Sequence, residues 1–265
     1  MAVRVEKSGS VWTVIHSRPE ARNAMDPRSA DALVAAFEEF DADESASVAV
    51  LWGEGGAFCA GWDLKTVSDL DLDDPVGVLN FPEDGGKPPR GPLGPSRLEL
   101  AKPVIAAVEG PAVAGGMELA MWCDLRVMAE DAYFGVYCRR WGVPLIDGGT
   151  VRLPRLVGMG KAMEIILTGR KVPAEEAYRI GLCEKVVAHG AARDAAEEMA
   201  QGIARFPQAC VRADRLSAYR AWGKSVREGL ESEWATSAGI VKAEGMRGAT
   251  RFASGKGRHG DFGDI

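Results

Sequence analysis

The sequence predicts an α/β protein whose C-terminal part is all helical, and three observations carry that prediction. Short apolar runs rich in β-branched residues, at 48–52 and 104–108, have the length and bounding glycines of buried strands. Each run ends in a glycine turn that opens into a helical pattern. From 191 onwards the strand pattern stops and helical spacing continues, broken only near Pro207 and Gly223. The chain is therefore divided into a mixed core at 1–190 and a helical region at 191–265.

In chain order, 3–5 and 11–15 alternate or cluster as strands around Ser8-Gly9-Ser10, so the chain opens as a hairpin. Asp26-Pro27 is a helix start, with Asp as the cap and Pro at the first helical position. Leu33, Phe37 and Phe40 then recur at helical spacing. The strand at 48–52 runs into GEGGAFCAGWDLK, where Gly55, Gly56 and Gly61 turn the chain before a helix expected at Asp63-Leu64-Lys65. Residues 68–95 hold acidic residues at 69, 71, 73 and 74 and then five prolines within 76–95, so no long regular element fits there. A lid over a site and a surface insertion are both open readings. The strand at 104–108 is followed by Gly110-Pro111, by Gly115-Gly116 and by an apolar helix to Trp122. Short strands are expected at 124–128, 132–136 and 186–187, and helices from Thr150, Met159 and Pro173.

Composition narrows the classes of function. A net charge of −6 leaves no electrostatic footprint for nucleic acid. Five cysteines (59, 123, 138, 183 and 210) are odd in number and lack CxxC spacing, as expected of reduced cytoplasmic thiols. Three scattered histidines argue against a histidine metal centre. The N-terminal stretch has no long apolar run, so neither a signal peptide nor a membrane span is expected.

The stretch KPVIAAVEGPAVAGGMELAMWCDLR at 102–126 concentrates the chemistry. A strand, a glycine turn and a helix N-terminus present unpaired N–H groups to a ligand. Glu118 lies three residues after Gly115, on about the same side of the helix as that amide. An amide and a carboxylate one turn apart can make or quench an enolate, although a Glu in a first turn can also be only a cap or a dipole partner. Arg18 and Arg22 read either as surface charge or as a clamp for a phosphate-bearing ligand.

With AFCAGWDLK at 57–65 and AAVEGPAVAGGMELAMWCDLR at 106–126, the chain resembles the crotonase, or enoyl-CoA hydratase/isomerase, superfamily. RPEARNAM (18–25), AYFG (132–135), the run at 155–187 and GRHGDF (257–262) extend the likeness over essentially the whole chain. The resemblance implies a spiral of ββα units with a helical C-terminal trimerisation region, the trimers often doubled to hexamers. It implies an oxyanion hole for an acyl-CoA thioester, built from the N–H groups of Trp62 and Gly115. Arg22, Ala24, Ala60, Asp63 and Leu64 match positions that line the CoA site, coenzyme A being carried by the substrate and no other cofactor or metal being implied. Glu118 matches the first of two glutamates that hydratases of this superfamily use. Cys138 stands where the second is expected, and a thiol, mostly protonated at neutral pH, is a poor substitute. Asp147, in GVPLIDGG, is the nearest replacement carboxylate, or else it stabilises its turn or caps the next helix. Cys138 reads as a wall of the acyl site, with no histidine nearby in sequence to activate it. Enoyl-CoA hydration is the expected reaction. Isomerisation, thioester hydrolysis and acyl-CoA binding without catalysis are its rivals.

Overall fold

The computed structural model describes residues 2–67 and 76–257. Two antiparallel strands, β1 (Val3–Ser8) and β2 (Val11–His16), form the expected hairpin and begin a six-stranded sheet. Parallel to β2 follow β3 (Val48–Gly53), β4 (Val104–Val108), β6 (Leu125–Ala129) and β9 (Lys185–Val187), in that order across the sheet. A second sheet of three short strands has β7 (Tyr133–Gly135) between β5 (Pro111–Val113) and β8 (Lys171–Pro173).

The two sheets are filled alternately by a repeating unit. β4 enters the large sheet, β5 the small one, and α3 (Gly115–Trp122) follows; β6, β7 and α4 (Gly149–Val157) repeat the order. Earlier turns of the same spiral contribute single residues in place of a second strand. Cys59 bridges Ala112 between β3 and α2 (Leu64–Val67), and Met25 bridges Trp62 between β2 and α1 (Pro27–Ala42). Single-residue bridges leave no periodic sequence mark, which is why the repeat is invisible before folding.

Strand alternation sorts side chains onto two cores. Ala49 and Leu51 of β3, with Val104 and Ala106 of β4, face the main core with α1 and α3. Val48, Val50, Ile105 and Ala107 face the other way, against α7 (Ala192–Ala204), which contributes Ala196 and Ala200. α1 starts as expected: Asp26 accepts from the Ser29 amide at 2.7 Å, and Leu33, Phe37 and Phe40 are buried. Its C-terminus is held by Lys102, whose buried ammonium donates to the Phe40 and Asp43 carbonyls at 2.8 and 2.5 Å. A cation there also opposes the negative end of the helix.

The remaining helices are α5 (Met159–Thr168), α6 (Ala174–Arg179), α8 (Gln208–Arg220), α9 (Val226–Ile240) and α10 (Met246–Ala253). The boundary expected at 190/191 separates the large sheet from its own covering helix, because α7 belongs to the core. Met199 and Ile203 of α7 pack there as well. The separate helical part begins at α8, tied back by Arg215 and Tyr219, which donate to Asp124 at 2.7 and 2.8 Å. α9 buries none of its residues, and helical structure runs on to Ala253. Among the described residues no helix is long and apolar enough to cross a membrane. The acidic residues at 69–74 and most of GRHGDF lie outside the described residues.

Candidate active site

The two glycine turns meet. Gly61 has φ +93°, and a Cβ there would lie 3.1 Å from the Gly115 nitrogen and 2.9 Å from the Ala114 side chain. A Cβ on Gly116 would overlap the Cys59 carbonyl. At Gly115 it would overlap Leu93, not empty space. These glycines therefore let the turns and the 93 loop close on one another; room for a ligand is a consequence of that fit. Ala114, with φ +54°, is a non-glycine residue in the left-handed region, held by its N–H donating to the Gly135 carbonyl at 2.8 Å. The turn it makes starts α3 with the Gly115 amide pointing off the helix end. Among the described residues neither that amide nor the Trp62 amide has a hydrogen-bond acceptor.

Both turns border a cavity of about 390 Å³ whose walls include Trp62, Leu93, Gly115, Glu118, Cys138 and Asp147. α3 is buried along its whole length, so Glu118 enters this cavity from the protein interior, 2% exposed. Its Oε1 accepts from the Asp147 and Gly149 amides at 3.0 and 2.8 Å, at the start of α4. A Cβ on Gly149 would stand 2.9 Å from that oxygen, so this amide can approach only as a glycine. Burial, and then the Asp147 charge, push the Glu118 carboxyl up to about 7, against the pull of the two amides.

Asp147 is equally buried, and burial raises its pKa. Its Oδ1 accepts from the Leu93 amide at 3.0 Å and from the Ser96 hydroxyl. Arg152 braces the same corner, donating to the Asp147 and Ser96 carbonyls at 2.9 and 2.8 Å. Of the two readings of the 68–95 stretch, its end is an ordered wall: Leu93 is buried, and 91–97 is fastened to Asp147. Residues 68–75 lie outside the description.

Of the positions matched to the CoA site, Arg22, Ala60 and Leu64 line the cavity together with Trp62 and Cys138. Ala24 and Asp63 do not. Asp63 pairs with Arg18 at 3.0 Å, and the Ala24 carbonyl accepts from the same guanidinium at 2.6 Å. Arg18 is thus spent inside the protein, which removes it from the phosphate clamp, and the exposed Arg22 remains. Sequence reasoning missed Asn23. Fully buried at φ +55°, it donates to the Glu54 and Ala57 carbonyls at 2.9 and 2.7 Å and accepts from the Arg18 amide. It fastens 18–25 to the first glycine turn, and an Asn after an Arg in a turn-like run was the available signal. Leu93, Ser96 and Arg152 gave no signal of this kind.

The enoyl-CoA hydratase/isomerase family profile matches residues 6–253. The chain is 38% identical over 206 residues to enoyl-CoA hydratase EchA19 of Mycobacterium tuberculosis, covering 75% of this chain and 73% of that one. It is 36% identical over 204 residues to carnitinyl-CoA dehydratase of Salmonella paratyphi A, covering 76% and 74%. The crystal structure of enoyl-CoA hydratase EchA1 from Mycobacterium marinum matches with a TM-score of 0.86 at 34% identity, covering 96% of both chains.

Proposed function

The chain belongs to the enoyl-CoA hydratase/isomerase family, as a hydratase-like acyl-CoA enzyme of crotonase fold, and from that premise we propose that Glu118 and Asp147 together hydrate a 2-enoyl-CoA. The observation that carries the reading is the pair of unsatisfied amides, Trp62 and Gly115, bordering the same cavity as a buried glutamate that titrates near 7. The thioester oxygen accepts from both amides, each such donor contributing roughly 3 kcal/mol to stabilising the enolate. Ionised Glu118 takes a proton from water as its oxygen bonds to C3. The C2=C3 electrons move onto the thioester oxygen, and the enolate returns by taking a proton at C2 from Asp147. Burial favours the protonated Asp147 this step requires, its Oδ2 has no hydrogen-bond partner among the described residues, and the charge left on Asp147 once the proton is given is what favours the proton on Glu118. Arg22, Ala60 and Leu64 line the CoA side, and no cofactor beyond the substrate's own coenzyme A is needed.

The wild-type chain with short, medium and long 2-enoyl-CoAs should lose the conjugated thioester absorbance and form 3-hydroxyacyl-CoA. Free CoA or a shifted double bond as product would replace hydration by hydrolysis or isomerisation. Tight binding without turnover of any of them would make the protein an acyl-CoA binder.

The working assembly in this reading is a cytoplasmic homotrimer, or a pair of trimers. Supporting it, α9 leaves Leu230 59% and Trp234 72% exposed, and Phe252 of α10 is 61% exposed. Large side chains exposed together mark an association surface. Light scattering should give three or six chains; a monomer at micromolar concentration overturns the assembly.

A further inference from the structure

Four of the five cysteine thiols donate to an acceptor: Cys59 to Gly61, Cys123 to Leu119, Cys183 to Ala174 and Cys210 to Asp214. Among the described residues Cys138 alone has none, although it is only 8% exposed. The surface it retains opens into the cavity shared with Glu118 and the Gly115 amide. That thiol lacks an acceptor and lines the cavity in which the reading above binds an enoyl thioester. Such a thioester is an acceptor for soft nucleophiles, and an oxyanion hole that stabilises the enolate of hydration stabilises the enolate of thiol addition equally.

We propose that Cys138 is a conjugate-addition site, whose thiol competes with water for C3 of the bound 2-enoyl-CoA and captures it as a thioether. This rests on the hydratase reading of the cavity. Glu118, ionised, takes the thiol proton as sulfur bonds to C3. The C2=C3 electron pair moves onto the thioester oxygen, held by the Trp62 and Gly115 amides. The carbonyl re-forms as C2 takes the proton back from Glu118. The net change is addition of S–H across one double bond, with nothing oxidised or reduced. Burial, and then the Glu118 charge, raise the thiol's pKa, so the free thiolate is scarce and the proton must leave as sulfur attacks. That makes the addition dependent on Glu118 as well as on Cys138. The thioether blocks the cavity, and reversal of the same steps releases it, so the enzyme is restrained where enoyl-CoA accumulates.

The test is intact-protein mass spectrometry of acid-quenched wild-type protein after incubation with crotonyl-CoA, with peptide mapping. Expected is a gain of one enoyl-CoA mass on Cys138 that saturates with concentration. Saturated butyryl-CoA should bind and give no adduct. Cys138→Ala should lose the adduct, and Glu118→Gln should form it about 10²–10⁴ times more slowly, the usual worth of a positioned base. Adduct persisting in Cys138→Ala, carried on the exposed Cys210, refutes the site. Hydration of crotonyl-CoA with no mass gain refutes the capture while leaving the hydratase reading intact. Absence of both hydration and butyryl-CoA binding overturns the two together.

Discussion

Replacing Glu118 by Gln should stabilise the fold at alkaline pH while removing activity. The carboxyl titrates at about 7 when folded, against 4.5 as the ordinary value. Below 4.5 it is protonated in the folded and the unfolded chain alike, and the folded state carries no penalty. Between 4.5 and 7 the folded chain keeps a proton that the unfolded chain has released, so stability falls as pH rises. Above 7 both forms are ionised and the full cost remains. The interval from 4.5 to 7, at 1.36 kcal/mol per pH unit, amounts to about 3 kcal/mol.

A glutamine at 118 carries no charge and keeps an oxygen for the Asp147 and Gly149 amides, 3.0 and 2.8 Å away in the wild type. Its gain should approach about 3 kcal/mol at pH 8 and stay below about 1 kcal/mol at pH 5. In a chain of this size that is a rise in Tm on the order of 6–12 °C at the higher pH. Turnover of a 2-enoyl-CoA should fall about 10²–10⁴-fold. Urea midpoints of both proteins at the two pH values, with the turnover assay beside them, decide the matter. An equal stability change at pH 5 and pH 8 would refute the buried charge, and unchanged turnover would refute the catalytic role.

Three other outcomes are expected. His16 is buried, and among the described residues neither ring nitrogen has a hydrogen-bond partner; burial, helped by Arg18, lowers its pKa from 6.5 to about 4, so about 3 kcal/mol of stability should be present above pH 6.5 and drain away as pH falls to 4. His16→Leu should remove that dependence, as read by urea midpoints at pH 7 and pH 4, and an unaltered dependence would locate it elsewhere. Asn23→Ala removes the donor from the buried Ala57 carbonyl and the part-buried Glu54 carbonyl, at about 1–3 kcal/mol in stability, and should raise KM for acyl-CoA more than it lowers kcat; a fall in kcat alone would place Asn23 in the chemistry. Gly115→Ala should weaken butyryl-CoA binding by driving its Cβ into Leu93, and Leu93→Ala in the same chain should restore binding if that collision is the cause.

The strands at 11–16, 48–53 and 104–108 were legible because each is an apolar run ended by glycine or a turn, and α1 because its cap and its buried stripe are local features. β8 was not: three residues with only Val172 buried become a strand by pairing with β7, some forty residues earlier in the chain. Glu118 was legible from its spacing to Gly115. The amides that hold it come from Asp147 and Gly149, and no local pattern joins those residues to α3. Asp147 stood out only as an acid beside two glycines. Its carboxylate partners, Leu93 and Ser96, lie in a proline-rich stretch whose composition says only that it is irregular.

That proline-rich stretch bears on the charge of the cavity more than its sequence suggests. The amides of Asp147 and Gly149 alone would hold Glu118 ionised and weakly basic; burial and the Asp147 charge outweigh them. The Asp147 charge is itself set by a contest between burial and the bonds from Ser96 and Leu93. Ser96 and Leu93 therefore act on Glu118 at one remove, by deciding how much negative charge stands beside it. Gly91 lets this happen, since a Cβ there would strike the Ser96 hydroxyl and approach Asp147 Oδ1 to 2.6 Å. A substitution at Ser96 that leaves the cavity walls in place should therefore shift the pH at which Glu118 gives up its proton, although 91–97 supplies neither carboxylate.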